Sequence, residues 1–262
     1  MSHSNTAWII TVVALASAAT LALWYFAPQT EQPPDVAAPV IPAPDDIPPD
    51  KPLHPLHTVS DGESYSLVDL PPLNDSDGYF ALALADVFGN DIKDLLVKSG
   101  LIEKVVTTID NLPRSHVAER VRPLQRIPGS FQAELQDGED VFTIRPQNFA
   151  RYEPLVDLVT NADIDHVVAT YRRFYPLLQQ AYINLGYPDG YFNDRVVEVI
   201  DHLLATPQPD GPVLLTRPHV LYEYADPDLE ALSSGQQLLL RMGEQNALRM
   251  MKFFRDIRSR IA

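Results

Sequence analysis

Four polar side chains with the chemistry of a metal site or a proton-transfer site lie on one predicted helix. Glu198 lies four residues after Asp194, and Asp201 and His202 lie three and four residues after Glu198, spacings that return to nearly the same side of an α-helix. Carboxylates and an imidazole so placed can bind a divalent metal or share a proton. The apolar residues of this segment point the opposite way, so the same stripe also fits a solvated helix face. We keep the four residues as catalytic candidates and predict no bound metal and no cofactor.

A second candidate site is aromatic and basic. Aromatic rings offer stacking faces and arginine offers paired donors, a combination that suits recognition of a glycan or a peptide. Other tyrosines nearby keep the spacing of core residues, which indicates that part of this cluster is buried. The binding candidates are Arg172, Arg173, Tyr187, Tyr191 and Phe192.

A third candidate is a local basic cluster in a chain that is otherwise acidic. Arg114, Arg120, Arg122 and Arg126 are offset only by Glu119. They can hold a carboxylate or phosphate ligand, or they can form salt bridges with the acidic excess of the chain. We favour the structural interpretation.

The composition excludes several classes of function. A formal net charge of -15 argues against sequence-independent binding to nucleic acid, which needs a dense field of Lys and Arg. The chain has no Cys, so a disulfide framework, a thiolate zinc site and a thiol nucleophile are excluded. No phosphate-cradling glycine loop, nucleophile elbow or zinc-protease motif is present.

The segments that carry the three candidate sites follow an apolar run near the amino terminus. The run from Ala7 to Phe26 carries no charge, and the two tryptophans, Trp8 and Trp24, lie near its ends. Such a run is long enough to cross a bilayer as a helix, with aromatic residues at both interfaces. Acidic residues precede the first Lys after the run, which predicts a cytoplasmic N-terminus and a periplasmic C-terminal domain. A cleaved signal peptide is the alternative.

Residues 27–72 have the composition of a linker. Ten prolines lie between Pro28 and Pro55, and apolar periodicity is almost absent. Proline favours extended geometry, so this segment is predicted to be a disordered spacer. Short apolar groups such as Leu53 to Leu56 could dock on some other surface, but we interpret them as part of the solvated spacer.

The remaining residues, 73–262, are predicted to form one mainly α-helical, bundle-like domain with one small β-hairpin. Capping side chains and Gly or Pro stops predict helices over residues 77–88, 91–99, 101–112, 149–159, 164–185 and 191–205. A capping box at Ser233 or Ser234 opens the last and longest helix, which ends near Ile261. Residues 131–135 and 141–145 predict the hairpin, and 213–215 and 220–224 predict short extended pieces.

Five segments carry a resemblance to a known family. They are LPPLNDSD at 70–77, DNLPR at 110–114, GYPDGYFNDR at 186–195, VIDHLL at 199–204 and SGQQLLLRMG at 234–243. From about residue 65 to the end, the chain resembles an uncharacterised family of proteobacterial membrane-anchored proteins, which is defined only as a domain of unknown function. The resemblance implies a Gram-negative envelope setting and assigns no catalytic residue.

Two functions remain open from the sequence. The first is an inner-membrane-anchored envelope protein whose periplasmic domain binds a protein or a peptidoglycan partner, since a spacer raises the effective concentration of a tethered module. The second is a metal- or carboxylate-dependent enzyme of cell-wall or lipid-linked metabolism that uses the stripe from Asp194 to His202.

Overall fold

The computed structural model describes residues 51–56, 70–126, 129–136 and 140–262. The predicted transmembrane segment, Ala7 to Phe26, and most of the predicted linker lie outside these residues. None of the helices in the described ranges has both the length and the apolar character needed to cross a membrane. The described residues form a mainly α-helical unit with one small antiparallel sheet, so the mainly α prediction is confirmed.

Most of the unit is helical. The α-helices in chain order are α1 (Asp77–Phe88), α2 (Ile92–Leu95), α3 (Leu101–Asn111), α4 (Pro146–Ala150), α5 (Glu153–Thr160), α6 (Ile164–Leu185), α7 (Phe192–Leu204), α8 (Pro227–Glu230), α9 (Ser234–Met242) and α10 (Glu244–Ile261). The strands are β1 (Ala133–Leu135), β2 (Val141–Ile144), β3 (Leu214–Thr216) and β4 (Glu223–Tyr224). Short 3-10 helices occupy Leu73–Asp75 and Glu119–Val121.

Two helix starts follow from capping side chains, as predicted. The carboxylate of Asp163 accepts the backbone N–H of His166 at 2.8 Å and so satisfies a free donor at the start of α6. Ser233 and Gln236 form the capping box of α9, in which each side chain accepts the backbone N–H of the other residue at 3.3 Å. Local sequence therefore sets where these helices begin.

Helix α6 is the centre of the main hydrophobic core. It packs against α1, α3, α7 and α10. Phe174 of α6 is 1% exposed, and its ring centroid lies 5.0 Å from that of Phe80 on α1. Ile102 and Val106 of α3 are fully buried in the same core. The apolar stripes read from the sequence are the faces that meet here.

The last predicted helix is two helices, α9 and α10. Gly243 separates them with a φ of +80°, a conformation that residues with a β-carbon rarely adopt. A β-carbon at this position would lie 2.7 Å from the ring of Phe149. The prediction that the last helix is the longest is therefore wrong, and α6, with 22 residues, is longer than the other described helices.

Two other predicted helices are shorter than expected. The segment 149–159 divides between α4 and α5, because Pro154 has no N–H to donate to a helix that continues from α4. The helix over 91–99 ends at Leu95, because Leu96 is extended and forms a β-bridge with Leu124. Tertiary pairing with the 121–125 segment replaces the helical hydrogen bonds that the sequence predicts.

The predicted hairpin is confirmed, but it is half of a larger sheet. Strands β1 and β2 pair antiparallel with Ala133 opposite Ile144, and the sheet continues to β3 and β4 in the order β1-β2-β3-β4. Leu215 of β3 pairs with Tyr224 of β4, and both pack with Ile144 against Leu240 of α9. The prediction of a single hairpin is corrected to four strands, which suits the marginal stability of isolated hairpins.

The first turn of α9 lies directly on the end of α3. The N–H of Gly235 donates to the carbonyl of Leu112 at 3.0 Å, and the N–H of Ser234 donates to the carbonyl of Arg114 at 2.8 Å. A β-carbon at Gly235 would lie 2.6 Å from a methyl group of Leu203 and 3.1 Å from the carbonyl oxygen of Leu112. This approach of α9 to α3 and α7 therefore requires glycine.

We expect Gly235→Ala to lower the free energy of unfolding by about 1–3 kcal/mol, because the added methyl group overpacks a closed contact. Urea unfolding of the full chain measures the change. The matched control is Gly78→Ala in α1, where a β-carbon meets nothing within 4 Å. Alanine favours a helix there, so the control should be neutral or slightly stabilising. Equal effects of the two substitutions would contradict the close contact.

Candidate functional site

Asp194, the first residue of the predicted catalytic stripe, binds the backbone of the chain itself. It lies in the first turn of α7, and its two carboxylate oxygens accept the N–H groups of Leu53 at 2.9 Å and His54 at 2.8 Å. The adjacent Asn193, which is 1% exposed, donates its side-chain amide to the carbonyl of His54 at 2.7 Å. Residues 51–56, which the sequence analysis places in the linker, thus lie against α7.

Glu198 and Asp201 form ion pairs with two different arginines. Glu198 accepts from Nη1 of Arg195 at 2.8 Å, within α7. Asp201 accepts two hydrogen bonds from the guanidinium group of Arg258 on α10, one of them from Nη2 at 2.8 Å. The hydrogen bond from Arg258, aided by the charge of the same group, lowers the pKa of Asp201. These carboxylates serve helix contacts.

His202 pairs with a hydroxyl group that already has a structural role. Its Nε2 lies 2.8 Å from Oγ of Ser233, a distance that also suits a nucleophile and its base. However, the Ser233 hydroxyl caps α9 by accepting the N–H of Gln236, and Ser233 is only 7% exposed. The pair therefore joins α7 to the start of α9.

The structure does not bring the four stripe residues into one site. We call residues 51–56 the strap. The four residues share a side of α7, but their partners differ. Asp194 binds the strap, Glu198 binds Arg195 within α7, Asp201 binds α10 and His202 binds the start of α9. In the ranges that the structure describes, no group of three or more His, Cys, Asp or Glu side chains is arranged to hold a metal ion.

A buried carboxylate joins two of the segments on which the family resemblance rests, 110–114 and 186–195. The side chain of Asp110, at the end of α3, is 3% exposed. Its Oδ1 accepts from Nε of Arg195 at 3.0 Å, and its Oδ2 accepts from Nη2 of Arg114 at 3.0 Å and from the hydroxyl of Tyr187 at 3.3 Å. Nη2 of Arg195 also donates to the backbone carbonyl of Asp110 at 2.7 Å. The network fixes α3, α7 and the 186–190 turn relative to one another.

The turn between α6 and α7 is held by stacked rings. The rings of Tyr182 and Tyr187 are nearly parallel, with centroids 4.5 Å apart. A β-carbon at Gly190 would lie 2.9 Å from the ring of Tyr182, so the turn passes directly over this ring. Burial, and next the negative charge of Asp110, raise the pKa of Tyr182 to about 12. Tyr182 is therefore neutral at physiological pH and serves packing.

Three of the four arginines in the predicted basic cluster donate to groups of the chain itself. Besides Arg114 in the Asp110 network, Nη2 of Arg122 donates to a backbone carbonyl at 2.9 Å. Arg126 binds Glu119 through Nε at 3.2 Å and Nη2 at 3.0 Å. Arg120 is exposed and forms no ion pair within the described residues. Most arginines of this cluster therefore bind groups within the chain.

The predicted aromatic and basic binding set is dispersed. Phe192 is fully buried in the main core, so its ring is not exposed to a ligand in this structure. Arg172 donates to a backbone carbonyl at the end of α10 at 2.9 Å, and Arg173 lies 5.6 Å from the ring of its neighbour in α6. Tyr187 is stacked in the turn, and Tyr191 is partly buried. Core packing accounts for Phe192 and Tyr187 of this set.

An exposed apolar surface lies at the turn between β3 and β4. Val220 and Leu221 are 78% and 76% exposed, and Tyr222 follows them. The ring of Tyr222 lies 5.6 Å from that of Phe131, which is 38% exposed, and the guanidinium group of Arg217 lies 5.3 Å from the Tyr222 ring. We call Phe131, Val220, Leu221 and Tyr222 the tip patch. Apolar side chains so exposed are typical of protein contact surfaces.

A cavity of about 290 Å³ lies between the sheet and the junction of α9 and α10. Ile144, Phe149, Val213 and Leu240 line it, and Glu244 is the one charged residue among the described residues of its lining. Its volume is at the lower limit of small-molecule sites, which begin at about 300 Å³.

Asp110, Asn193 and the tip patch are not among the candidates that the sequence predicts. Asp110 carries one usable signal, because a carboxylate in the last turn of a helix opposes the helix dipole and needs a partner. Asn193 and the tip patch carry none, since burial of the former and exposure of the latter depend on packing between distant segments.

The described fold and its paired charges define a helical module with a small β-sheet appended to it. Residues 101–258 match the family model described as Protein of unknown function (DUF3014), and the chain belongs to this family. The matched region includes the whole Asp110 network and most of the sheet contacts. A search of curated proteins and a search of solved structures find no match to the chain.

We expect Asp110→Ala to lower the free energy of unfolding by about 3 kcal/mol, because it leaves the largely buried Arg195 without its main partner. Glu198 still pairs with Arg195, which places the value at the lower end of the usual range. Urea unfolding measures it. The control is Glu119→Ala, which breaks the exposed pair with Arg126 and should change stability by less than about 1 kcal/mol. A small effect at Asp110 would contradict its role as the central acceptor.

Proposed function

We propose that this protein is an inner-membrane-anchored envelope protein whose helical domain binds a protein partner. In this proposal the run from Ala7 to Phe26 is a single transmembrane helix, the N-terminus is cytoplasmic and the domain is periplasmic. The tip patch is the contact surface, and the protein is not an enzyme.

The tip patch is the observation that carries the proposal. Val220 and Leu221 are exposed by more than three quarters of their surface, although burial of such side chains is favourable by about 1.5–3 kcal/mol each. A tyrosine and an arginine accompany them, and both residue types are enriched among the residues that dominate binding energy at protein interfaces. A protein partner with an apolar surface would bury these side chains, which the described residues of the chain leave exposed.

The chemistry of the patch favours a protein over the other candidate partners. Glycan strands and nucleic acids present hydroxyl groups, amides and phosphates, for which Val220 and Leu221 have no hydrogen-bonding groups. The net charge of -15 also opposes a polyanion. A peptidoglycan partner, the other candidate from the sequence, is therefore tested as a contrary outcome.

The enzyme alternative has less support. An enzyme would need the polar groups of the Asp194 to His202 stripe to be free for a substrate and convergent. Their engagement with the strap, Arg195, Arg258 and Ser233 favours structural roles instead. No observation in the described residues favours a particular reaction, so we do not propose one.

The proposed topology predicts that alkaline phosphatase, fused after Ala262, is active in bacterial cells. This enzyme folds only where its disulfides form, on the periplasmic side of the inner membrane. The control fusion lacks residues 7–26 and should stay in the soluble fraction without phosphatase activity. An inactive full-length fusion, or equal activity without residues 7–26, would show that the proposed anchor or its orientation is wrong.

The proposed contact surface predicts that a photo-reactive amino acid at Val220 crosslinks to a discrete protein in cells. The matched control position is Leu82 on α1, which is 61% exposed but lies outside the sheet. We expect Leu221→Ser to reduce the yield of the Val220 adduct at least about tenfold, since loss of a central apolar anchor weakens binding by roughly 2 kcal/mol. The thermal midpoint should stay unchanged, because Leu221 is exposed.

Three results would contradict a protein partner at the tip patch. The first is an identical adduct from Val220 and from Leu82, which would indicate unspecific contact. The second is no effect of Leu221→Ser on the adduct. The third is an adduct that muramidase digestion dissolves and protease digestion leaves intact, which would indicate peptidoglycan.

A further inference from the structure

The strap, residues 51–56, is bound to the helical unit by a small set of directional contacts. Both oxygens of Asp194 accept consecutive backbone N–H groups, those of Leu53 and His54. Asn193 donates a hydrogen bond to the carbonyl of His54, so three polar groups of the strap backbone are satisfied by two adjacent side chains. We call Asn193 and Asp194 the clip.

Asn193 of the clip is held in the fold independently of the strap. The side-chain amide of Asn193 also donates to the carbonyl of Ile261 at 2.8 Å, which satisfies one of the free carbonyl groups at the end of α10. Its Oδ1 accepts the hydroxyl of Tyr171 at 3.0 Å. Burial, as the main cause, raises the pKa of Tyr171 well above its usual value, so this donor keeps its proton. Asn193 is therefore oriented before the strap binds.

The strap sequence is suited to an extended bound form. Pro52 and Pro55 fix their own φ, and each restricts the preceding residue to extended conformations. A segment that is already extended loses less conformational entropy when it binds. Leu56 packs at the edge of the main core, whereas Leu53 is 71% exposed. The segment therefore uses one apolar anchor and its backbone.

We propose that the clip is a binding site for an extended, proline-flanked segment, and that its ligand is the chain's own strap, held as a releasable latch. The contacts are three hydrogen bonds and one partly buried leucine. Two entropic costs oppose these contacts. One is the ordering of the six strap residues, and the other is the closure of the connection from Leu56 to Leu70. These opposing terms are of similar size, so the strap binds and leaves while the helices stay folded.

Whether the strap is bound or released determines where the linker ends. With the strap bound, the linker that precedes the domain ends at Asp50, and residues 27–50 reach at most about 85 Å. With the strap released, the linker extends to Pro72, and its limit rises to about 165 Å. The docking itself is independent of the proposed function, but this consequence for reach rests on the proposed membrane anchor.

Hydrogen exchange of the full chain in detergent, measured by mass spectrometry without any partner, tests the latch. We expect the amides of Leu53 and His54 to exchange about 10- to 1000-fold more slowly than in a free peptide, yet much faster than those of α6. Asp194→Ala should return both amides to the free-peptide rate. Asp189→Ala, which removes the same charge from the exposed preceding turn, should leave them protected.

A second variant tests the strap side of the contact. Leu56→Ser leaves the clip intact and should also release the two amides. In every variant the amides of α6 report whether the domain is folded, so release is distinguishable from unfolding. The proposal is overturned if the wild-type amides exchange at the free-peptide rate, if they are as slow as those of α6, or if Asp194→Ala leaves them protected. None of these results depends on membrane anchoring or on the tip patch.

Discussion

The arrangement of the helices depends on one buried carboxylate. A charge removed from water must be compensated by partners with good geometry, and the partners of Asp110 come from the end of α3, from α7 and from the turn before α7. The hydrogen bonds to the Asp110 carboxylate form together in one arrangement of these elements. The stacking of Tyr187 on Tyr182 and the seating of α9 on the end of α3 are consistent with that arrangement, and both lie beside it.

The acidic excess of the chain is used for helix contacts by its arginines. Helix α10 binds three other helices in this way, through Arg258 to Asp201, Arg260 to Asp165 and Arg249 to Asp157. Each pair is partly exposed, so each contributes little free energy by itself. Their value is orientational, because the bidentate Arg258–Asp201 pair and the two single-contact pairs link α10 to three different neighbours. The same engagement removes Asp201 from the chemistry that its spacing suggests.

Tethering and recognition, as we propose them, belong to separate parts of the domain. The strap contacts Asn193 and Asp194 of α7 and the edge of the main core, whereas the tip patch lies on the sheet, which packs on α9. No residue is shared between the two surfaces. A partner at the tip patch therefore need not compete with the strap for its contacts, and the reach of the tether and the affinity for the partner can be set independently.

The mainly α class, the β1–β2 hairpin and the starts of α6 and α9 follow from the sequence, because they depend on periodicity, caps and turn residues that interact within a few positions. The sequence also predicts that Asp194, Glu198, Asp201 and His202 share one side of a helix. What those side chains bind depends on tertiary packing. The partner of Asp194 is 140 residues away and that of Asp201 is 57 residues away. Such pairings are fixed by the packing of whole helices, whose geometry no local spacing contains.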